Sequence, residues 1–380
     1  MNNKTIKYVG FYDSFANSTE NRNSCLSATN KMNYIIKSLN KNGYDVEIIS
    51  PSWTINNKFY KGKTVQVMPK VRLKLFPTLP WKCKLFKVVS VIFSFLCMFF
   101  YLIFNSAKNE QIIVYHSKWL SLPLLLLKKI KNELTIILEV EEIYDDVKHS
   151  KFWRGIEYKF FEVADKYIFP TELLNKKLNI ENKPYTIIYG TYQVEEEQKL
   201  KFEDGKIHVV YAGTFDPRKG GAIAVAAAEY LPKNYHVHII GFGSSEDTKL
   251  LLDKIEQVSK VSYATLTYDG LLKGKEYIEF LQKCDIGLST QIPDATYNET
   301  SFPSKILSYM ANGLRVVSVR IKAIEISSIG NIVYYYDEQS PKAIADAIMK
   351  INIYDSYDSV ELIKKLDKDF TSNIKKLLEC

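Results

Sequence analysis

The chain has 380 residues, more than one core usually supports and close to two domains of average size. Its 46% hydrophobic content is ordinary for a globular protein, and its five cysteines show no paired or metal-like spacing, which excludes a disulfide scaffold and favours a reducing cytoplasm. The net charge of +8 suits an anionic partner, but no nucleic-acid motif accompanies it, so nucleic acid is set aside. In chain order, KTIKYVGFY (residues 4–12) reads as a first strand, followed by a polar loop at 13–22. A helix is expected over 25–41, halted by Asn42-Gly43, and then a strand over Tyr44–Ser50 that ends at Pro51. No glycine-rich phosphate fingerprint follows the first strand, so no nucleotide is expected in this half. No signal peptide is read at the start of the chain.

Lys70, Arg72, Lys74, Lys82, Lys84 and Lys87 precede Val88–Phe104, seventeen residues without a charge. That is the lower limit of a membrane span of roughly 17–25 residues. A span would put the remaining strands of the domain on the wrong side, so two readings stay open. One is a fully buried helix, apolar all round. The other lies in the membrane interface, its basic flank meeting anionic lipid, and the six charges with Phe76, Leu79 and Trp81 favour it.

Further strands are expected at 111–115 and 134–139. The stretch ILEVEEIYDD (137–146) then puts five acids at a strand end. A solvated acidic turn that caps the next helix fits it. So does a carboxylate that works as a base or orienting group, its pKa raised by burial or by its neighbours. His116, His149, His208, His236 and His238 are scattered and no HExxH or CxxC occurs, so no metal site is expected; His236 and His238 share a strand face without an obvious third ligand.

The second half repeats one pattern. VVYAGTFDPRKGG (209–221) is a strand running into a loop with Arg218 and Lys219, followed by an Ala-rich helix. VHIIGFG (237–243), YDG (268–270) and CDIGLS (284–289) come next, each a strand end before a helix. This is the serial βα order of a parallel sheet, whose ligands sit at the carboxyl ends of the strands. In SFPSKILSYMANGLRVVSV (301–319), Pro303 suits a first helical position and Asn312-Gly313 ends the helix. Lys305 adds a charge at a helix start that is a natural anion site, although a plain αβ unit explains the same pattern. Two basic loops in such a sheet point to a diphosphate.

The order of AGTFDPRKGG, HIIGFG, YDG, CDIGLS and FPSKILSYMANGLRVVSV resembles the nucleotide-sugar domain of GT-B glycosyltransferases, closest to the large retaining family four that builds bacterial surface polysaccharides and glycolipids. The resemblance covers most of 205–350, and the strand, loop, helix and NGYDV strand of the first half resemble GT-B acceptor domains. It implies an α/β protein of the GT-B fold, two Rossmann-like domains facing a central cleft: 1–185 for the acceptor, with a membrane-facing segment at 70–104, 186–354 for the nucleotide sugar, and a final helix at 355–380 crossing back. The implied donor set is Gly213, Thr214, Arg218, Lys219, Gly241, Glu299, Phe302, Pro303, Ser304, Lys305 and Ser308. In this set Gly213 and Lys219 would face the diphosphate, with Arg218 nearby, and the backbone after Phe302 would cap the distal phosphate or the sugar.

The family usually carries a ribose-binding Glu where Ser308 stands, a sugar-contacting Glu where Thr300 stands beside Glu299, and a basic residue where Thr214 stands. Where relatives often have a His near the reaction centre, this chain offers Glu139, Glu141 and Glu142, one of which would meet the acceptor hydroxyl. The expected function is transfer of a sugar from a nucleoside diphosphate sugar to a lipid-linked saccharide, by a cytoplasmic enzyme peripheral to an anionic membrane, with no cofactor or metal. A catalytically silent GT-B subunit, motivated by Ser308 and Thr300, and a sugar-nucleotide epimerase are the alternatives.

Overall fold

A computed structural model describes residues 4–14, 20–81, 83–143, 151–197, 201–293, 298 and 300–380. Glu299 and Lys82, the acids Asp145 and Asp146, His149 and the side chain of Lys84 lie outside the described set. The chain divides into two compact units, residues 1–188 with 369–380, and residues 189–368.

The first unit contains β1 (Thr5–Val9), α1 (Leu26–Lys41), β2 (Asp45–Ser50), β3 (Lys63–Met68), β4 (Val71–Leu75), α2 (Lys84–Asn105) and β5 (Gln111–Tyr115). It continues through α3 (Lys118–Ile130), β6 (Thr135–Glu139), α4 (Lys151–Val163), β7 (Lys166–Phe169), α5 (Glu172–Leu178) and β8 (Tyr185–Ile187). Its eight strands run in the order β3-β4-β2-β1-β5-β6-β7-β8, all parallel except the β3–β4 hairpin. Central strands such as β5 are continuous apolar runs because helices cover both faces of a parallel sheet.

The hairpin corrects the sequence reading of the basic flank. Val71, Leu73 and Leu75 are buried and alternate with Arg72 and Lys74, the period of two that marks a strand. Lys70 turns the hairpin with φ 62°, and Phe76 is buried in the core beside Val9, Ile49, Met98 and Leu102. Three of the six charges therefore belong to the β3–β4 hairpin, Lys70 at its turn and Arg72 and Lys74 on β4 between β3 and β2.

The second unit contains β9 (Ile207–Thr214), α6 (Gly221–Ala227), β10 (Tyr235–Phe242), α7 (Ser245–Ser259), β11 (Thr265–Gly270), α8 (Gly274–Lys283) and β12 (Ile286–Ser289). Then come α9 (Lys305–Ala311), β13 (Arg315–Val319), α10 (Lys322–Glu325), β14 (Tyr334–Tyr336), α11 (Pro341–Met349) and α12 (Ser359–Glu379). The sheet order β11-β10-β9-β12-β13-β14 is all parallel and reverses direction between β9 and β12. That reversal is the topological switch point at which open α/β sheets bind ligands. The last residues of α12 belong to the first unit. There Phe370 stacks on Tyr34, and Lys166 and Gln111 donate to the carbonyls of Leu377 and Leu378.

Candidate functional site

At the switch point, β9 and β12 pair only at Val209–Ile286 and Val210–Gly287 and then part. The phenol of Tyr309 on α9 fills the seam. Its oxygen accepts the Ala212 N–H at 2.8 Å and lies 3.3 Å from the Leu288 carbonyl. The backbone N–H that the neighbouring strand leaves unpaired is thereby satisfied by a side chain.

Above this seam stands Lys305. Its Nζ is buried, has no hydrogen-bond acceptor among the described residues, and lies 4.2 Å from the centre of the Tyr211 ring. It also lies 3.0 Å from the point where a Cβ on Gly213 would sit, so a larger residue there would press on the ammonium. Burial, with repulsion from Lys219, lowers its pKa to about 7. An ammonium out of water and without an anion is costly. Two cations at one strand end form a place for a polyanion.

The loop that carries Lys219 is held from both sides. Gly220 takes φ 81°, and a side chain there would collide with the Thr290 carbonyl. Thr290 Oγ1 donates to the Gly220 carbonyl at 2.7 Å and the Ile292 N–H to that of Arg218 at 3.1 Å, while Tyr211 Oη lies 2.9 Å from the Thr214 carbonyl and 3.1 Å from that of Lys219. Arg218 is exposed and forks onto Asp216, whose carboxyl it holds down at about 2. Its guanidinium is thus engaged locally rather than aimed at Lys305. At Gly241, φ 141° lets the Gly213 carbonyl lie where a Cβ would be.

The remaining donor residues divide. Thr214 is exposed, and Phe302 is buried against Tyr189 with ring centres 4.9 Å apart. Pro303 is not the first helical residue: its carbonyl accepts the Ile306 N–H in a tight turn, and α9 begins at Lys305 behind Ser304. Ser304 is exposed and caps nothing with its side chain. Ser308, one turn after Lys305, lies 3.2 Å from the Tyr277 hydroxyl, so a hydroxyl pair occupies the place the family gives to a carboxylate. A groove of about 950 Å³ in this unit lies at the other end of α9, against Asn312, Gly313 and α12, and does not include Lys305.

The acids of the first unit are not equivalent. Glu139, at the carboxyl end of β6, is fully buried; one oxygen accepts the Tyr8 hydroxyl and the other has no partner among the described residues. Burial and the neighbouring Glu141 push its carboxyl up to about 8. Glu141 is half-buried and pairs at 3.2 Å with Lys31, which also donates to the Ile188 carbonyl. Glu142 is exposed. A solvated turn therefore does not describe Glu139 or Glu141. The structure draws those two together with Tyr8 and Lys31 and leaves Glu142 apart. Tyr8, Lys31, Tyr211, Thr290 and Tyr309 were not legible as site residues, because each lies in an ordinary strand or helix and acts only across the fold.

α2 is neither buried all round nor amphipathic in the usual sense. Ser90, Ser94, Met98 and Leu102 face inward, the two hydroxyls donating to the carbonyls of Leu79 and Pro51. Leu85, Val88, Ile92, Leu96, Phe100 and Phe104 face outward, with Phe104 79% and Leu85 70% exposed. The outer face is thus more apolar than the inner one, the reverse of a helix on a water-facing surface.

Two parallel-sheet α/β units of this kind match the fold of solved GT-B glycosyltransferases. Sucrose-phosphate synthase from Thermosynechococcus elongatus superposes with a TM-score of 0.67 at 13% identity, over 99% of this chain and 98% of that one. An Anabaena protein, HepE, in complex with UDP and glucose gives 0.64 at 11%, over 99% of each chain. The lipopolysaccharide outer core galactosyltransferase WaaB, in its apo form, gives 0.62 at 14%, over 98% and 99%. No curated protein matches the chain in sequence. Residues 206–352 match the family described as glycosyl transferases group 1. The second unit is thus a group 1 glycosyltransferase domain, and the protein is a glycosyltransferase that takes sugar from a nucleotide sugar.

Proposed function

We propose that the protein transfers a glycosyl group from a nucleoside diphosphate sugar to a lipid-linked saccharide, at the cytoplasmic face of an anionic membrane, during assembly of a bacterial surface polysaccharide. The observation that carries this reading is the outward apolar stripe of α2, which offers Leu85 to Phe104 to a lipid surface beside the cation Lys87. Trp119, Leu126 and Ile130 of α3, which packs against α2, are exposed as well. An acceptor anchored in the bilayer needs an enzyme that stays there.

On the donor side, Lys305 and Lys219 receive the diphosphate and stabilise its charge as the bond to the sugar breaks, so the scheme draws on protein cations rather than a metal. Gly213 and Gly241 leave the backbone room for that approach, and Thr214, Ser304 and the backbone after Phe302 border it. Arg218 supports the loop through Asp216. On the acceptor side, Glu141 meets the hydroxyl, because it is the acid of the cluster that combines partial exposure with a fixed partner. Glu139, buried behind it, positions the cluster.

The test combines sedimentation with turnover. The protein should sediment with anionic vesicles more than with neutral ones, and high salt should release part of it. Lys87→Gln should weaken binding about fivefold, since a cation near such a surface is worth about 1 kcal/mol. Leu96→Gln with Phe100→Gln should weaken it further, and both side chains are exposed enough for the fold to survive. Nucleotide release from a panel of sugar nucleotides should require a lipid-linked acceptor. Recovery indifferent to vesicle charge, salt and both α2 variants would remove the membrane from the proposal. No nucleotide release with any pair would favour the catalytically silent subunit.

A further inference from the structure

The third histidine that the sequence did not offer beside His236 and His238 stands on the adjacent strand. His208 of β9 is in register with His236 of β10, and His238 lies two residues on, so all three project from one face of the sheet. The ring centres of His236 and His238 are 3.9 Å apart, those of His208 and His238 5.2 Å, and one nitrogen from each ring lies within 4.8 Å of the others. Phe202 stacks on His208 at 4.0 Å and Phe280 stands edge-on to His238 at 5.1 Å, which walls the group from water while His236 keeps some exposure.

The proton inventory of this group is unusual. Asp204 Oδ1 lies 2.9 Å from His208 Nε2, and Asp269 Oδ2 lies 3.0 Å from His238 Nδ1. A carboxylate accepts only, so each outer ring nitrogen carries the N–H that its carboxylate needs. In neutral rings this leaves His208 Nδ1 and His238 Nε2 as two lone pairs facing each other at 2.9 Å. Such a pair repels unless a metal cation or a shared proton sits between the two nitrogens. Carboxylates on the far nitrogens are also the arrangement that fixes tautomer and raises basicity in histidines bound to metal.

We propose that His208, His236 and His238 form a zinc site of the second unit, with Asp204 and Asp269 as its outer carboxylates. Tetrahedral zinc with Zn–N of about 2.0–2.1 Å holds its nitrogens about 3.3 Å apart, so the inner pair opens by a few tenths of an ångström and His236 turns from Thr267, 3.0 Å away, to give the third ligand. Three imidazoles suit zinc, and nickel or copper after it, and do not suit magnesium or calcium. The charged neighbours are Asp204, Asp269 and Asp285 against Lys206 and Lys283, a balance that still favours a cation.

The site is not the donor site. His208 precedes Gly213 by five residues along β9, roughly 17 Å at ~3.3 Å per residue. It lies near the amino-terminal edge of the sheet, where Phe202 and Asp204 bring the incoming chain onto β9 and β10. Zinc there would pin that segment to two strands, a structural role that does not depend on the transfer reaction.

The experiment uses the full chain, free of any histidine tag and stripped of metal. Zinc titrated by calorimetry should bind at one equivalent per chain and raise Tm. Each of His208→Gln, His236→Gln and His238→Gln should weaken binding at least tenfold. Cobalt in place of zinc should give the intense visible bands of a tetrahedral site, a readout on the unmutated protein that does not depend on a variant folding. No stoichiometric zinc binding, zinc affinity unchanged in the variants, or an octahedral cobalt spectrum would each overturn the site. The inner pair would then be held by a shared proton.

Discussion

The carboxyl ends of the two sheets carry opposite and unequal surpluses. In the second unit, Lys305 and Lys219 repel each other and Lys305 has no acceptor among the described residues. In the first, Glu139 and Glu141 repel each other, but Lys31 and Tyr8 answer part of their charge. The difference teaches what each edge waits for. On the proposed reading, the bare ammonium would take a ligand that arrives fully charged, as a diphosphate does. On the same reading, the first edge, whose charge is partly balanced internally, would meet a neutral hydroxyl.

The comparison breaks first at Glu141. Glu141→Gln should lower turnover by roughly 10²–10⁴-fold, the usual worth of a positioned acid or base, while nucleotide affinity stays within about twofold. A variant as active as the parent would leave the first edge without a reactive group. Next comes Lys305→Ala, which should weaken nucleoside diphosphate binding by roughly 10- to 150-fold, as expected for losing a charge-assisted contact of about 1.5–3 kcal/mol. Lys305 also sets a proton count. Its pKa of about 7 is depressed from 10.5, so the free protein should gain stability as pH rises from 7 towards 10.5. A bound diphosphate should restore the charge, with uptake approaching one proton at pH 8. Calorimetry in two buffers of different ionisation enthalpy measures this, and Lys305→Met should abolish it.

Glu139 titrates with the opposite sign. Its folded pKa of about 8 lies above the ordinary 4.5, so the stability it contributes is present below 4.5 and lost as pH rises through 8. Glu139→Gln should gain in Tm over the parent as pH is raised from 5 to 8.5, and parallel melting curves would deny the buried proton. The smallest effect belongs to Arg218. Its pairing with Asp216 is exposed, so Arg218→Ala should change nucleotide affinity by less than about fivefold. A loss as large as that of Lys305→Ala would move the diphosphate outward from the seam.

Much of this was legible in the sequence, and the remainder was hidden for physical reasons. The glycines and lysines of 213–221 and the stop at Asn312-Gly313 are local signals, and the strand and helix after each were read correctly. Ile112–Val114 and Ile136–Leu138 announce buried parallel strands by their unbroken apolar runs. Lys305 was visible as a charge at a helix start, but its isolation depends on Tyr211, Gly213 and Lys219 closing around it. Tyr309 reads as core until the parting of β9 from β12 gives its hydroxyl a task. The β4 strand was obscured because Arg72 and Lys74 gave its alternation the look of a cationic run. His208 lies 28 residues before His236, a spacing no motif describes, and only the sheet register makes them neighbours.

The outward stripe of α2 also governs how the molecule behaves away from lipid. Six large apolar side chains in a row along one helix make a contiguous water-facing strip, and two such strips remove each other from solvent when copies meet. In dilute aqueous buffer the protein is then expected to pair or cluster through α2 as its concentration rises, and to come apart when a mild detergent covers the strip. A copy number measured without detergent would thus report the solvent's dislike of α2 as much as any arrangement the enzyme adopts at work.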